Sequence, residues 1–319
     1  MINRYLLRIK VIQILYAYYK GEDQDYGKAV AELKESIKKT YDLYYYLLLL
    51  VPSITEYAKQ KCEEGKEHSM DMAESLSIDR KNNNFTANKI AEQLSNNKAL
   101  QKYVRENELS WSDRTETAIK NLYEEIAATD VFAEYSAKEA TTYAEDKELW
   151  KYIFKNVFAY SELLGKELED EQLYWNAEEE TVFDFALKTI KKLNEDSGSD
   201  YPMQPMYGDE DSKEFGFTLF KNAVFNSKEY NALIDKYINT KKWDLSRIAT
   251  MDRLIMQTAV SELSAFPTIP VNVTLNEYIE ITKQFSGEKS GAFINGVLDS
   301  VVDDMRKNNK LMKVAEYTK

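Results

Sequence analysis

Residues 243–263 read WDLSRIATMDRLIMQTAVSEL. Trp243, Leu245, Ile248, Leu254 and Ile255 recur here at the three- to four-residue spacing of one helix face, and are read as core. A helix over 245–264 is predicted, closed off before Pro267 and Pro270. The same period runs outward in both directions. Downstream, 271–285 stops at Ser286-Gly287, a plausible C-terminal cap, and 292–305 follows. Upstream, 214–239 carries Phe217, Phe220, Val224 and Leu233 on one face.

At the start of the chain, 2–20 reads as a helix ending at Gly21. A second helix, 26–51, repeats apolar residues at Ala29, Leu33, Ile37, Tyr41 and Tyr44, and Pro52 is expected to end or kink it. Its run Leu43–Val51 is too short to span a bilayer, which needs about 20 residues. A buried helix face is expected there. Residues 59–84 are polar and read as loop or frayed helix; 85–193 reads as several more helices. A weak echo lies in this region. Leu109-Ser-Trp111-Ser-Asp113 and Leu173-Tyr-Trp175-Asn-Ala177 each precede a helical run with a capping-box spacing, Asp113 to Glu116 and Asn176 to Glu179. Two similar helix starts, each anchored by a tryptophan, explain it better than a duplication does, since two copies do not make a repeat array. Residues 194–211 are the clearest linker, with Ser-Gly-Ser and two of the five prolines. The fold class is all-α.

The composition narrows the chemistry. The chain has 319 residues, 30% charged and 44% hydrophobic, with 23 Tyr and only ten Gly. Cys62 and His68 are each the single residue of their type. Neither an internal disulfide nor a tetrahedral zinc site can be built from them, and a Ser-His-Asp triad is disfavoured. A cytoplasmic protein without a secretory leader or membrane span is expected. No phosphate loop and no dinucleotide fingerprint is present. Carboxylate runs such as Glu178-Glu179-Glu180 read as solvated helix surface. An enzyme is not expected, nor a cofactor or metal. Net charge is −12, against nucleic-acid binding in itself. Residues 1–20 nevertheless hold Arg4, Arg8, Lys10 and Lys20 and no acid.

The opening stretch now gains a second meaning. Trp243-Asp-Leu-Ser-Arg247-Ile248, Asp252-Arg253, Ala259-Val-Ser-Glu262-Leu263, Pro270-Val-Asn-Val, Asn276-Glu277, Lys283 and Phe293-Ile-Asn-Gly-Val-Leu-Asp299 resemble, in order and spacing, the NusB family of transcription antitermination factors. Arg4, Arg8 and Gln13-Ile-Leu-Tyr16 resemble that family's N-terminal helix. The resemblance spans roughly 1–50 and 214–306 and implies NusB-like helical bundles. The expected organisation is residues 1–58 and 212–319 as the two parts of that domain, with a basic first helix, around a helical insertion and acidic linker at 59–211. A methyltransferase domain, which follows the module in some proteins, is not expected here.

The family resemblance implies function as well. Its members bind boxA-type single-stranded RNA with ribosomal protein S10, join the RNA polymerase antitermination complex and suppress termination in ribosomal RNA operons. Carried over, RNA contacts fall on Arg4, Arg8, Tyr16, Lys289, Ser290 and Phe293, and partner contacts on Asp252 and Glu262. Each has a plainer reading. Arg4 and Arg8, one helical turn apart, serve as surface arginines on an amphipathic helix as readily as phosphate ligands. Tyr16 stacks on a base or is half-buried, and Asp252 and Glu262 meet a partner or water. Tyr5 and Leu6 stand where further basic residues are expected, and Ala292, Gln257 and Ser261 also depart from the pattern. Asn295-Gly296 reads as a turn by propensity, whereas the family places it in a helix, with Gly for close packing. A protein-binding scaffold without strong RNA affinity is the competing function; a homodimer is possible. The insertion is expected to serve protein–protein contact.

Overall fold

Asn3 starts the first helix. Its side-chain oxygen accepts from the Leu6 amide, supplying a partner that first-turn amides lack, and α1 runs Arg4–Lys20. From Leu6 to Leu15 every residue except Gln13 is buried, Arg8 and Lys10 included. A helix buried on all sides belongs in a core. The expected basic surface helix is therefore corrected: two of its four cations are interior.

The computed structural model describes residues 1–68, 84–111, 116–175, 179–238, 248–311 and 313–314. The chain forms two compact units, one of Met1 with Lys38–Met206, the other of Ile2–Ile37 with Tyr207–Lys319. α2 (Tyr26–His68) contributes to both and continues past Pro52, which was expected to end or kink it and does not end it. An interior proline costs a helix about 3 kcal/mol. Burial on both sides of it outweighs that cost, since Leu43–Val51 is buried apart from Leu49, and Ile54 and Ala58 continue the stripe. Residues 59–68, expected as loop or frayed helix, continue α2; 69–83 lie outside the described residues.

In the unit of Lys38–Met206, the further elements are α3 (Lys89–Ser95), α4 (Lys98–Glu106), α5 (Glu116–Ala127), α6 (Asp130–Ser136), α7 (Tyr143–Tyr152), α8 (Glu162–Glu171) and α9 (Glu179–Lys192). Asn88 is the hub. Its side-chain oxygen caps α3 through the amides of Ile90 and Ala91 and accepts from Trp150 Nε1, while its amide donates to the Tyr135 hydroxyl and the Asp146 carbonyl. The tryptophan echo has a structural counterpart. Trp111 Nε1 donates to the Tyr46 carbonyl at 2.9 Å and Trp175 Nε1 to the Lys39 carbonyl at 2.7 Å, two turns apart on α2. The capping residues Asp113 and Asn176 lie outside the described residues. The stretch after α9 is held down: the Met1 ammonium donates to the Pro205 carbonyl and the Tyr41 hydroxyl to that of Gln204.

The other unit adds α10 (Glu210–Phe225), α11 (Ser227–Tyr237), α12 (Thr250–Ala265), α13 (Val271–Ser286) and α14 (Glu288–Lys307). One helix was expected over 214–239; Asn226 splits it. Its side-chain amide donates back to the Asn222 carbonyl, competing with helix continuation. α12 sits centrally, buried from Leu254 to Leu263, and touches α1, α10, α11, α13 and α14. Around it pack Ile9, Ile12, Ile234, Tyr278, Ile281, Ile294, Leu298 and Val301. Ile248 packs on this core, whereas Trp243 and Leu245 lie outside the described residues. Gly287 joins α13 to α14 at φ +79°, a conformation that favours glycine. Asn295-Gly296 lies within α14, not in a turn, but the expected close packing is absent: a Cβ on Gly296 would meet nothing within 4 Å. The fold is all-α. Among the described residues the β pairing is a single bridge, Ile2 to Tyr207, and no helix is long and apolar enough to cross a membrane.

Candidate nucleic-acid interface

Charge separates the two units. Residues 2–37 and 207–319 hold 21 Lys/Arg and 21 Asp/Glu, so that unit is neutral. Met1 with 38–206 holds the other 21 Lys/Arg and 33 Asp/Glu, which is the whole −12. The acidity that argued against RNA therefore does not belong to the unit bearing the expected RNA residues.

Arg8 is only 2% exposed. Its Nε and Nη2 donate to the two carboxylate oxygens of Glu262 at 2.7 and 2.8 Å, and Nη1 to Glu277 at 2.9 Å. Glu262 is fully buried and also accepts from the Thr274 and Tyr278 hydroxyls at 2.9 and 3.1 Å. Burial disfavours the charged guanidinium, yet the hydrogen bonds and charge of Glu262 outweigh it and hold the Arg8 pKa above its ordinary value. Burial and the Glu262 charge push the Tyr278 phenol well up. A bidentate arginine–carboxylate pair with every carboxylate oxygen used is a structural clamp. In this conformation Arg8 presents no N–H to a phosphate and Glu262 no oxygen to a partner. Both expectations fail on placement, because the two residues satisfy each other across α1 and α12.

Arg4 is half-buried. Its guanidinium lies 5.6 Å from the centre of the Phe215 ring, which Arg8 approaches to 5.3 Å. Tyr16 is 39% exposed, with Lys20 Nζ 5.9 Å above its ring, a presented aromatic face with a cation beside it. Arg4 and Tyr16 lie three turns apart, about 18 Å along the helix axis. Tyr5 links the start of α1 to the end of α13, its hydroxyl donating to Gln284 at 3.3 Å.

Lys289 is exposed, and Phe293 is half-buried against the core. Ser290 and Asp252 are brought together: the serine hydroxyl donates to Asp252 Oδ2 at 3.1 Å. Asp252 is buried in the first turn of α12, where the helix dipole favours a carboxylate. Its Oδ1 is buried with no hydrogen-bond partner, an acceptor left over at the foot of the α13–α14 turn. So one expected RNA residue and one expected partner residue form a single pair, with Lys289 next to it in sequence.

The sequence reading missed two features. Gln257 is buried and connects three helices, donating to the Ala223 carbonyl and the Tyr19 hydroxyl and accepting from Asn231. Phe225 is 64% exposed and lies 5.0 Å from Tyr26. A polar residue inside an otherwise apolar run was the available signal for the first; nothing marked the second.

The family model described as the NusB family matches residues 180–303. A transcription antitermination protein NusB from Salinibacter ruber is 33% identical over 109 residues, 34% of this chain and 67% of its own length. The protein of that name from Bacillus mycoides is 45% identical over 96 residues, 30% and 72% of the two chains. That from Geotalea daltonii is 38% identical over 141 residues, 44% and 93%. No solved structure matches the chain at comparable significance.

Proposed function

The chain belongs to the NusB family of transcription antitermination proteins, and we propose that it binds a boxA-type single-stranded RNA together with ribosomal protein S10. In this reading it joins the RNA polymerase antitermination complex and suppresses termination in ribosomal RNA operons. The family is non-catalytic, so the mechanism is binding and assembly. The observation that carries the reading is the coverage of NusB-named relatives by this chain.

The neutral unit supports it physically. Single-stranded RNA is held by cations along its backbone and by aromatic faces under its bases. Arg4, Tyr16 and Lys289 offer these groups at accessible or half-accessible positions. Beside Lys289 the half-buried Ser290 offers its hydroxyl and Phe293 backs the turn; Asp252, buried and accepting from Ser290, holds that serine in place from inside. Arg8 and Glu262 act from inside, fixing α1 against α12. In this reading residues 59–211 are an insertion within the domain formed by 1–58 and 212–319, whereas the compact units divide the chain after Ile37 and after Met206.

The test is fluorescence anisotropy of a labelled boxA-type RNA, with and without S10. Two or three phosphate contacts give a salt slope of about −0.7 per contact. Affinity then falls about tenfold between about 50 and 200 mM salt. Lys289→Ala and Tyr16→Ala should each weaken binding at least about threefold without changing stability. Lack of RNA binding with S10 still bound favours the second reading, a protein-binding scaffold. The interior position of Arg8 and Lys10, which thins the exposed charge of α1, is what speaks for it.

A further inference from the structure

A groove of about 400 Å³ lies in the acidic unit. It arises where α7 leaves α-helical geometry. The chain passes through a π-helical turn, Ile153–Val157, and then a 3₁₀ turn, Phe158–Tyr160. Such π-turns are rare and recur at functional sites. This one sets Phe154 and Phe158 side by side with ring centres 5.1 Å apart, and Phe183 of α9 stands 6.3 Å from Phe154. The three rings line the groove, and Tyr160, 80% exposed, stands at its edge.

Glu179, Glu180 and Asp184 line the same groove against a single cation, Lys155. The Glu179 carboxyl is half-buried and is raised by that burial and by the charge of Glu169. α8 contributes Gly165 to the lining, and its Glu169 lies near enough to Glu179 for the two charges to act on each other. Among the described residues none of these carboxylates has a Lys or Arg within ion-pair distance. Charge of one sign gathered beside low-dielectric rings attracts its opposite and repels its like. Aromatic faces beside carboxylates are the chemistry that takes guanidinium and ammonium groups, by cation–π contact and charge-assisted hydrogen bonds.

We propose that this groove is a docking site for an arginine- or lysine-rich segment of a partner protein. Aromatic rings take the side-chain stems and planes, and Glu179, Glu180 and Asp184 take the charges. RNA is repelled from it. The inference is independent of the RNA reading, since it concerns the other unit and its probe contains no nucleic acid.

The test uses the full chain and a labelled peptide of alternating arginine and glycine, followed by anisotropy at low and physiological salt. Wild type should bind saturably. Glu179→Gln/Glu180→Gln/Asp184→Asn should weaken binding at least about tenfold. Tyr160→Ala, which alters only an exposed ring, should weaken it at least about threefold. A control with the same charge change on exposed positions elsewhere in the unit, Glu124→Gln/Glu134→Gln/Glu139→Gln, should stay within about twofold. Circular dichroism checks that each variant is folded. The proposal is overturned by absence of saturable binding, or by equal losses in the groove and control variants. It is also overturned by sedimentation showing a dimer of this chain that the groove variant dissolves.

Discussion

Replacing Arg8 by Met removes the cation from a fully buried carboxylate. Glu262 would keep the Thr274 and Tyr278 hydroxyls but lose two charge-assisted bonds of 2.7 and 2.8 Å, and no water reaches it. Removing one partner of a buried pair costs about 3–5 kcal/mol. The unit of residues 2–37 and 207–319 has about 150 residues, so its unfolding entropy is about 0.3 kcal/mol/K, and Tm falls by about 10–15 °C. If all 319 residues unfold together, the drop is about half as large. Thermal and urea unfolding followed by far-UV circular dichroism read this directly. Glu277→Gln is the control: its side chain is 33% exposed, water replaces the lost partner, and the cost stays under about 1 kcal/mol. Adding Glu262→Gln to Arg8→Met should recover about 1–3 kcal/mol, because the stranded charge is gone. A drop under about 2 °C for Arg8→Met, or a double variant less stable than the single, would refute the clamp. The consequence for function is practical. Charge reversal at Arg8 damages the fold, so RNA contacts are to be tested at Lys289 and Tyr16.

Gly296→Ala places a methyl in open space on an exposed helix interior, so it should stabilise the protein by about 0.5–1 kcal/mol in urea titration; a destabilisation would contradict its α-helical conformation. Asn88→Ala removes a cap and the acceptor of the Trp150 indole at once, and should cost about 3 kcal/mol or more, with Trp fluorescence shifted. Alkaline pH should unfold the tyrosine-rich unit. Burial pushes the Tyr44 and Tyr143 phenols up to about 12, and raises Tyr45, Tyr46 and Tyr135 further. A raised folded pKa means the folded state holds the proton more tightly than the unfolded chain, whose phenols titrate near 10. The stability from this source is thus complete below about pH 10 and falls as pH rises through 12. Tyrosinate absorbance should rise in two stages, exposed phenols first and the buried ones together with loss of helix; one smooth titration near pH 10 would count against it.

The helices were legible in the sequence because periodicity is a local signal. The apolar spacing of α12, α13 and α14, the Gly after α1 and α13 and the short run at Leu43–Val51 needed no partner to be read. So was the family, whose residues in 243–299 keep their order and spacing. What the sequence could not show is where a charge goes once helices pack. Arg8 and Lys10 look like surface cations in a one-dimensional string. They became interior because the residues flanking them are apolar on every side of α1, and Glu262 arrives from α12, 254 residues away. Pro52 does not end α2 for the same reason: a helix break is a local cost, and burial along Leu43–Ala58 is a tertiary gain that exceeds it. Ser290 and Asp252 were assigned to different ligands, and only the meeting of the first turns of α12 and α14 made them one pair. The division of charge, neutral in one unit and −12 in the other, was written in the sequence from the start, but only the chain's folding into units decided which residues share a surface.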